Sequence, residues 1–73
     1  MDKKIGFIGC GNMGKAILGG LIASGQVLPG QIWVYTPSPD KVAALRDQYG
    51  INAAESAQEV AQVADIVFGA RSE

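Results

Sequence analysis

An α/β fold, with a parallel sheet of four strands in the order 3-2-1-4 and helices on both faces, is predicted by three observations. A short apolar strand, Ile5-Gly6-Phe7-Ile8, runs straight into Gly9-Cys10-Gly11-Asn12-Met13-Gly14 and then into a helical pattern. Two further apolar runs, at residues 31–35 and 65–70, are separated from it and from each other by stretches of helical spacing. Glycine and proline punctuate the joins at Gly25, Pro29-Gly30 and Gly50. Strands that alternate with helices make βαβ units, and such units give a parallel sheet.

The first strand and its glycines set the rest. A strand leading into Gly-x-Gly-x-x-Gly at the start of a helix is the dinucleotide-binding fingerprint of the Rossmann fold. Gly9 lets the chain turn at the strand end, Gly11 lets backbone approach a pyrophosphate, and Gly14 lets the helix pack closely on the strand. The N–H groups of the first helical turn, around Asn12, Met13 and Gly14, and the positive end of the helix dipole favour an anion at the same place. Cys10 reads as a small residue beside the ligand, with redox sensitivity near a helix N-terminus as the alternative.

The helix that follows carries Ala16, Ile17, Leu18, Leu21 and Ile22, whose spacing lines one face. Gly19-Gly20 in its interior costs roughly 1 kcal/mol each relative to alanine, and close packing is the expected compensation. Ser24-Gly25 ends the helix, and Leu28-Pro29-Gly30 turns the chain into the second strand, Gln31-Ile32-Trp33-Val34-Tyr35.

The second strand is informative about the cofactor. In an NAD-binding unit it ends in a carboxylate that takes the adenosine ribose hydroxyls. Here it ends in Tyr35-Thr36-Pro37-Ser38, and the first carboxylate is Asp40. Thr36, Ser38 and Lys41 offer hydroxyls and a positive charge that would hold a 2'-phosphate, so NADP(H) is the preferred cofactor, with NAD(H) as the alternative. Ser38-Pro39 also reads as an N-cap and first helical residue, and the two readings are compatible.

Val42, Leu45 and Tyr49 mark the face of the second helix, which Gly50 stops. Residues 51–54 make a short edge strand. Ser56-Ala57-Gln58-Glu59 matches a capping box that starts a third helix with Val60, Val63 and Ala64 inward. Glu55 and Glu59 read as capping and solvated carboxylates, so no catalytic residue is assigned. The run 65–70 has the character of a strand buried on both faces. In the order 3-2-1-4 it lies at an open edge, a template for self-association.

Composition narrows the function classes. The chain has 73 residues, a formal net charge of -1, one cysteine and no histidine. One small domain fits that length. No intramolecular disulfide can form, and neither a metal site nor histidine acid/base chemistry is expected. The charge balance gives no sign of nucleic acid or a membrane surface as partner, and no transmembrane or signal segment is evident, so a cytoplasmic location is expected.

Three runs carry a closer resemblance: residues 4–17 around the glycine loop, Thr36-Pro37-Ser38-Pro39-Asp40-Lys41, and Ala64-Asp65-Ile66-Val67-Phe68-Gly69-Ala70. Together they resemble the N-terminal part of bacterial pyrroline-5-carboxylate reductases of enterobacterial type. The resemblance covers residues 1 to about 70. It implies an NADPH-dependent reductase that passes hydride to the C=N bond of 1-pyrroline-5-carboxylate, the last step in making proline. It also implies that Ile8 to Met13 hold the pyrophosphate, that Thr36 and Ser38 meet the adenosine phosphate, and that Ala70 opens the segment beside the nicotinamide.

After that alanine the family continues Val-Lys-Pro, whereas this sequence reads Arg71-Ser72-Glu73. The expectation is a truncated NADP-binding domain over residues 1–73, without the C-terminal domain that builds the dimer and the substrate site, and inactive by itself. Two other readings stand beside it. One is a different dehydrogenase with a similar loop, of the 3-hydroxyisobutyrate or 6-phosphogluconate type, against which the Thr-Pro-Ser-Pro run argues. The other is a non-enzymatic nucleotide-binding or self-associating module.

Overall fold

Four short strands, β1 (Ile5–Ile8), β2 (Ile32–Tyr35), β3 (Asn52–Ala53) and β4 (Ile66–Gly69), pair in parallel in the order β3-β2-β1-β4. Among the described residues the α-helices are α1 (Asn12–Ala23), α2 (Pro39–Tyr49) and α3 (Ala57–Val63). The predicted architecture and strand order are therefore the observed ones. This computed structural model describes residues 2–9 and 11–69, with the backbone alone for Asn12 and Met13. Cys10 and Ala70 lie outside the described residues.

Alternation along β1 explains why helices flank both faces. Successive side chains of a strand point to opposite sides of the sheet. Ile5 and Phe7, with their register partners Ile32 and Val34 on β2, join Leu18 of α1 and Leu45 of α2 in one buried cluster. Leu21, Ile22, Val42 and Tyr49 pack against that cluster. Gly6 faces the other way, and there the neighbours of its missing side chain are Val60 and Ala64, from α3 and its C-terminal cap.

The expected helix faces hold with one correction. Leu18 is buried in α1, but Ala16 and Ile17 are exposed. At 100° per residue an apolar run of seven positions outgrows the arc that touches the sheet, so its leading edge is left in solvent. Of the two interior glycines, Gly19 has the predicted close neighbour: a Cβ there would lie 3.4 Å from the Tyr49 hydroxyl on α2. No described atom lies within 4 Å of a Cβ at Gly20, so close packing does not account for it.

Local chemistry places the ends. Gly50 ends α2 in the left-handed conformation with φ 79 and donates its N–H to Arg46 C=O. Before β2, Pro29–Gln31 forms a 3-10 turn, and the Gln31 side chain accepts from Leu28 N–H at 2.9 Å and donates to Lys3 C=O at 3.0 Å. Ser56 caps α3 as predicted, its hydroxyl accepting from Glu59 N–H at 3.0 Å. The other half of the box differs, because the Glu59 carboxylate accepts from Glu55 N–H at 2.7 Å, one residue earlier than the standard arrangement. Ser56→Ala is expected to remove about 1 kcal/mol of stability and to lower the melting midpoint by about 4–8 °C, read by circular dichroism.

β4 departs from the sequence expectation. Its start is fixed to β1 by a reciprocal pair, Lys4 N–H donating to the Asp65 carboxylate at 2.9 Å and Asp65 N–H to Lys4 C=O at 2.8 Å. Phe68 stacks on Phe7 with centroids 5.2 Å apart. Yet Ile66, Val67 and Phe68 remain 39%, 43% and 37% exposed, not buried on both faces. The strand is a sheet edge, and α3 packs on β1 and β2 instead of reaching over it.

Candidate cofactor site

The candidate site lies at the carboxyl ends of β1 and β2. The register pairs Ile8 with Tyr35, so the loop after β1 and the turn after β2 leave the sheet side by side. Neighbouring parallel strands lie about 4.8 Å apart, which brings the two predicted halves of the site to one end of the sheet.

Gly9 makes the turn. It sits at φ 74, a region L side chains rarely enter, and its N–H donates to Tyr35 C=O at 2.7 Å. Gly11 is the N-cap of α1 and its C=O accepts the first helical bond from Lys15 N–H at 2.9 Å. The N–H groups of Asn12, Met13 and Gly14 then have no carbonyl inside the helix to take them. The first turn of α1 holds no acidic residue that would compete with an anion. Gly14 is buried.

Gly11 itself is informative. Its φ of -84 is open to any residue, and no described atom lies within 4 Å of an added Cβ. Nothing among the described residues requires a glycine there.

The turn after β2 is built around Thr36. Thr36 is 7% exposed and is the one buried polar side chain among the described residues. Its hydroxyl donates to Ser38 C=O at 2.9 Å and accepts from Ser38 N–H at 3.1 Å. This ring was not read from the sequence, although threonine two residues before a serine at a helix start is the signal for such a hydroxyl turn. Ser38 occupies the N-cap position of α2 and Pro39 follows it as predicted, but the serine side chain makes no cap bond. The N–H of Lys41, which a cap would take, goes to Ser38 C=O at 3.1 Å.

Ser38 is half-buried, the Lys41 side chain is exposed, and Asp40 adds a carboxylate to the first turn of α2. Ile8, half-buried, pairs with Gly69 of β4, so β4 ends at the same end of the sheet. Among the described residues, no group of three or more histidine, cysteine or carboxylate side chains forms a metal cluster, and no helix is long and apolar enough to cross a membrane.

A parallel sheet in the order 3-2-1-4, with a glycine loop opening α1 at its carboxyl end, defines a Rossmann-type α/β protein. The family described as NADP oxidoreductase coenzyme F420-dependent matches residues 4–71, and the chain belongs to that family. It is 91% identical over 70 residues to a pyrroline-5-carboxylate reductase of Escherichia coli (strain K12), covering 96% of this chain and 26% of the relative. A pyrroline-5-carboxylate reductase of Vibrio alginolyticus is 41% identical over 66 residues, 89% of this chain and 24% of its own length.

The solved structure of a pyrroline-5-carboxylate reductase from Coxiella burnetii superposes with a TM-score of 0.88 at 35% identity, covering 97% of this chain and 26% of that one. The resemblance drawn from the three sequence runs is thus borne out. The chain spans about a quarter of the length of these relatives.

Proposed function

We propose that this chain is the cofactor-holding part of a reductase that takes NADP(H), and that the whole enzyme reduces 1-pyrroline-5-carboxylate to proline. The observation that carries this reading is Gly11. A serine or asparagine would cap α1 better, and the backbone there tolerates a side chain, so the glycine answers to something outside the fold. A pyrophosphate lying against the first-turn N–H groups of α1 would occupy the space that a Cβ would take.

On this reading Ile8, Gly9, Cys10, Gly11, Asn12, Met13 and Gly14 surround the pyrophosphate, Thr36, Ser38 and Lys41 meet the 2'-phosphate, and Ala70 lies beside the nicotinamide. The reductase relatives and the family's description as an NADP oxidoreductase support it. NADP(H) is preferred over NAD(H) because no carboxylate ends β2, where one would repel a phosphate. The bound nicotinamide would supply the hydride. The chain's own residues bind and orient the cofactor, and hydride transfer further requires the imine to be held against it.

Trp33, half-buried on β2, reports on this directly, since its emission overlaps the absorbance of reduced nicotinamide. Titration of the chain with NADPH and NADH is expected to give saturable quenching that prefers NADPH. Quenching that never saturates with either cofactor would remove the reading.

A second reading concerns β4. We infer that its open edge takes a second copy of the chain, since three adjacent large apolar side chains are exposed on a strand that pairs only with β1 and leaves its outer edge open among the described residues. Sedimentation is expected to show concentration-dependent association that Val67→Lys abolishes, because a charge on an edge strand opposes pairing. A wild-type chain that stays monomeric across the concentration range would contradict it.

A further inference from the structure

We infer that two copies of the chain join β4 to β4 in antiparallel sense about a two-fold axis at Val67, so that their two sheets run on as one. This rests on the reading of β4 as a self-associating edge, and it fixes the register, which that reading leaves open.

The backbone decides which groups the edge offers. Ile66 N–H donates to Lys4 C=O at 3.2 Å, and Ile66 is the register partner of Ile5. Its backbone groups are therefore turned toward β1, and those of its neighbour Val67 toward the open edge. The side chains alternate as well. Phe68 stacks on Phe7, which shares a buried cluster with Leu18 of α1, so Ile66 and Phe68 lie on the α1 face of the sheet. Val67 is level with Gly6, whose empty side-chain position meets Val60 of α3, and lies on the other face.

A two-fold axis is the commonest way for two identical chains to close. An axis along the strand would set Val67 N–H against Val67 N–H of the second copy, and no ladder would form. An axis perpendicular to the sheet makes the two strands antiparallel and leaves each face continuous with the same face of the second copy. Opposed residues of an antiparallel pair project from one face, so this axis passes beside a residue and not between two.

Three centres are then open. Centred on Ile66, the axis sets Val67 against the exposed Asp65, and centred on Phe68 it sets Val67 against Gly69, which has no side chain. Centred on Val67, it sets Val67 against itself and Ile66 against Phe68 of the second copy, twice over. Each of the exposed large apolar side chains of β4 then has an apolar partner. The Asp65 carboxylate falls opposite Gly69 of the second copy instead of another charge, and a net charge of -1 per chain adds little repulsion.

Cysteine cross-linking tests the register, in a Cys10→Ser background so that the introduced thiols are the only ones, with copper phenanthroline as oxidant and a non-reducing gel as readout. Val67→Cys is expected to bridge to itself, because directly opposed residues lie about 5.5 Å apart, within the span of a disulfide. Ile66→Cys alone and Phe68→Cys alone should not bridge, since each meets its own copy only diagonally, at about 7–8 Å. A mixture of the two should bridge, and it serves even where Val67→Cys does not fold.

Bridging of Ile66→Cys or Phe68→Cys to itself, in a chain that sediments as a dimer, would overturn the register while leaving the edge as the site of association. A dimer that none of these thiols bridges would overturn the use of this edge. A wild-type chain that stays monomeric would remove the reading and the inference together.

Discussion

Replacement of Gly6 by valine is expected to unfold the chain. Gly6 is in the middle of β1, paired with Trp33 of β2 and Val67 of β4, and its empty side-chain position is directed at α3. A Cβ there would collide with Val60 Cγ1 and lie 2.8 Å from Ala64 Cβ. Val60 is fully buried, so it has no room to swing aside. An excess methylene in a packed core costs about 1–3 kcal/mol, and valine adds three carbons where none fits.

A domain of this length has only about 4–11 kcal/mol to lose. Gly6→Ala, with one added carbon, should sit between, with a lowered urea midpoint and an unchanged slope. A valine variant that unfolds cooperatively at the wild-type midpoint would show that α3 does not pack on β1 as described.

The sheet order was legible because length, punctuation and pattern agree. A four-residue apolar strand, a glycine loop and a 12-residue helical stretch leave little choice of connection, and Gly50 marks the end of α2 as it would in any context. The crowding at Gly6 was not legible. It depends on α3 crossing behind β1, a contact between residues more than fifty positions apart.

The edge position of β4 was legible from the strand order, but the exposure of its faces was not, since Ile66-Val67-Phe68 reads as a buried strand whatever lies over it. Within the site, the glycine loop was plain from the residue spacing. The hydrogen-bonded ring between the Thr36 hydroxyl and the Ser38 backbone was not, because a hydroxyl's letter in the sequence does not say which backbone groups it meets.

Gly11→Ala is expected to leave the fold standing and to weaken NADPH. The substitution meets ordinary backbone angles and open space among the described residues. Its effects on the helix cap and on the unfolded chain are each below about 1 kcal/mol and opposite in sign. Against a bound pyrophosphate the same methyl group stands where backbone must come close. Excluding a tightly packed ligand by one methyl costs about 1–3 kcal/mol, or about 5- to 150-fold in affinity. Few positions separate folding from binding so cleanly, and Gly9, with its φ of 74, is not one of them.

The most direct measurement is therefore the thermal midpoint and the NADPH affinity of Gly11→Ala beside those of the wild-type chain, in one buffer at one protein concentration. A midpoint within a few degrees of wild type, together with NADPH binding weakened about fivefold or more, is the predicted result. Equal NADPH affinity in the two chains would contradict the assignment of this loop as the seat of the pyrophosphate.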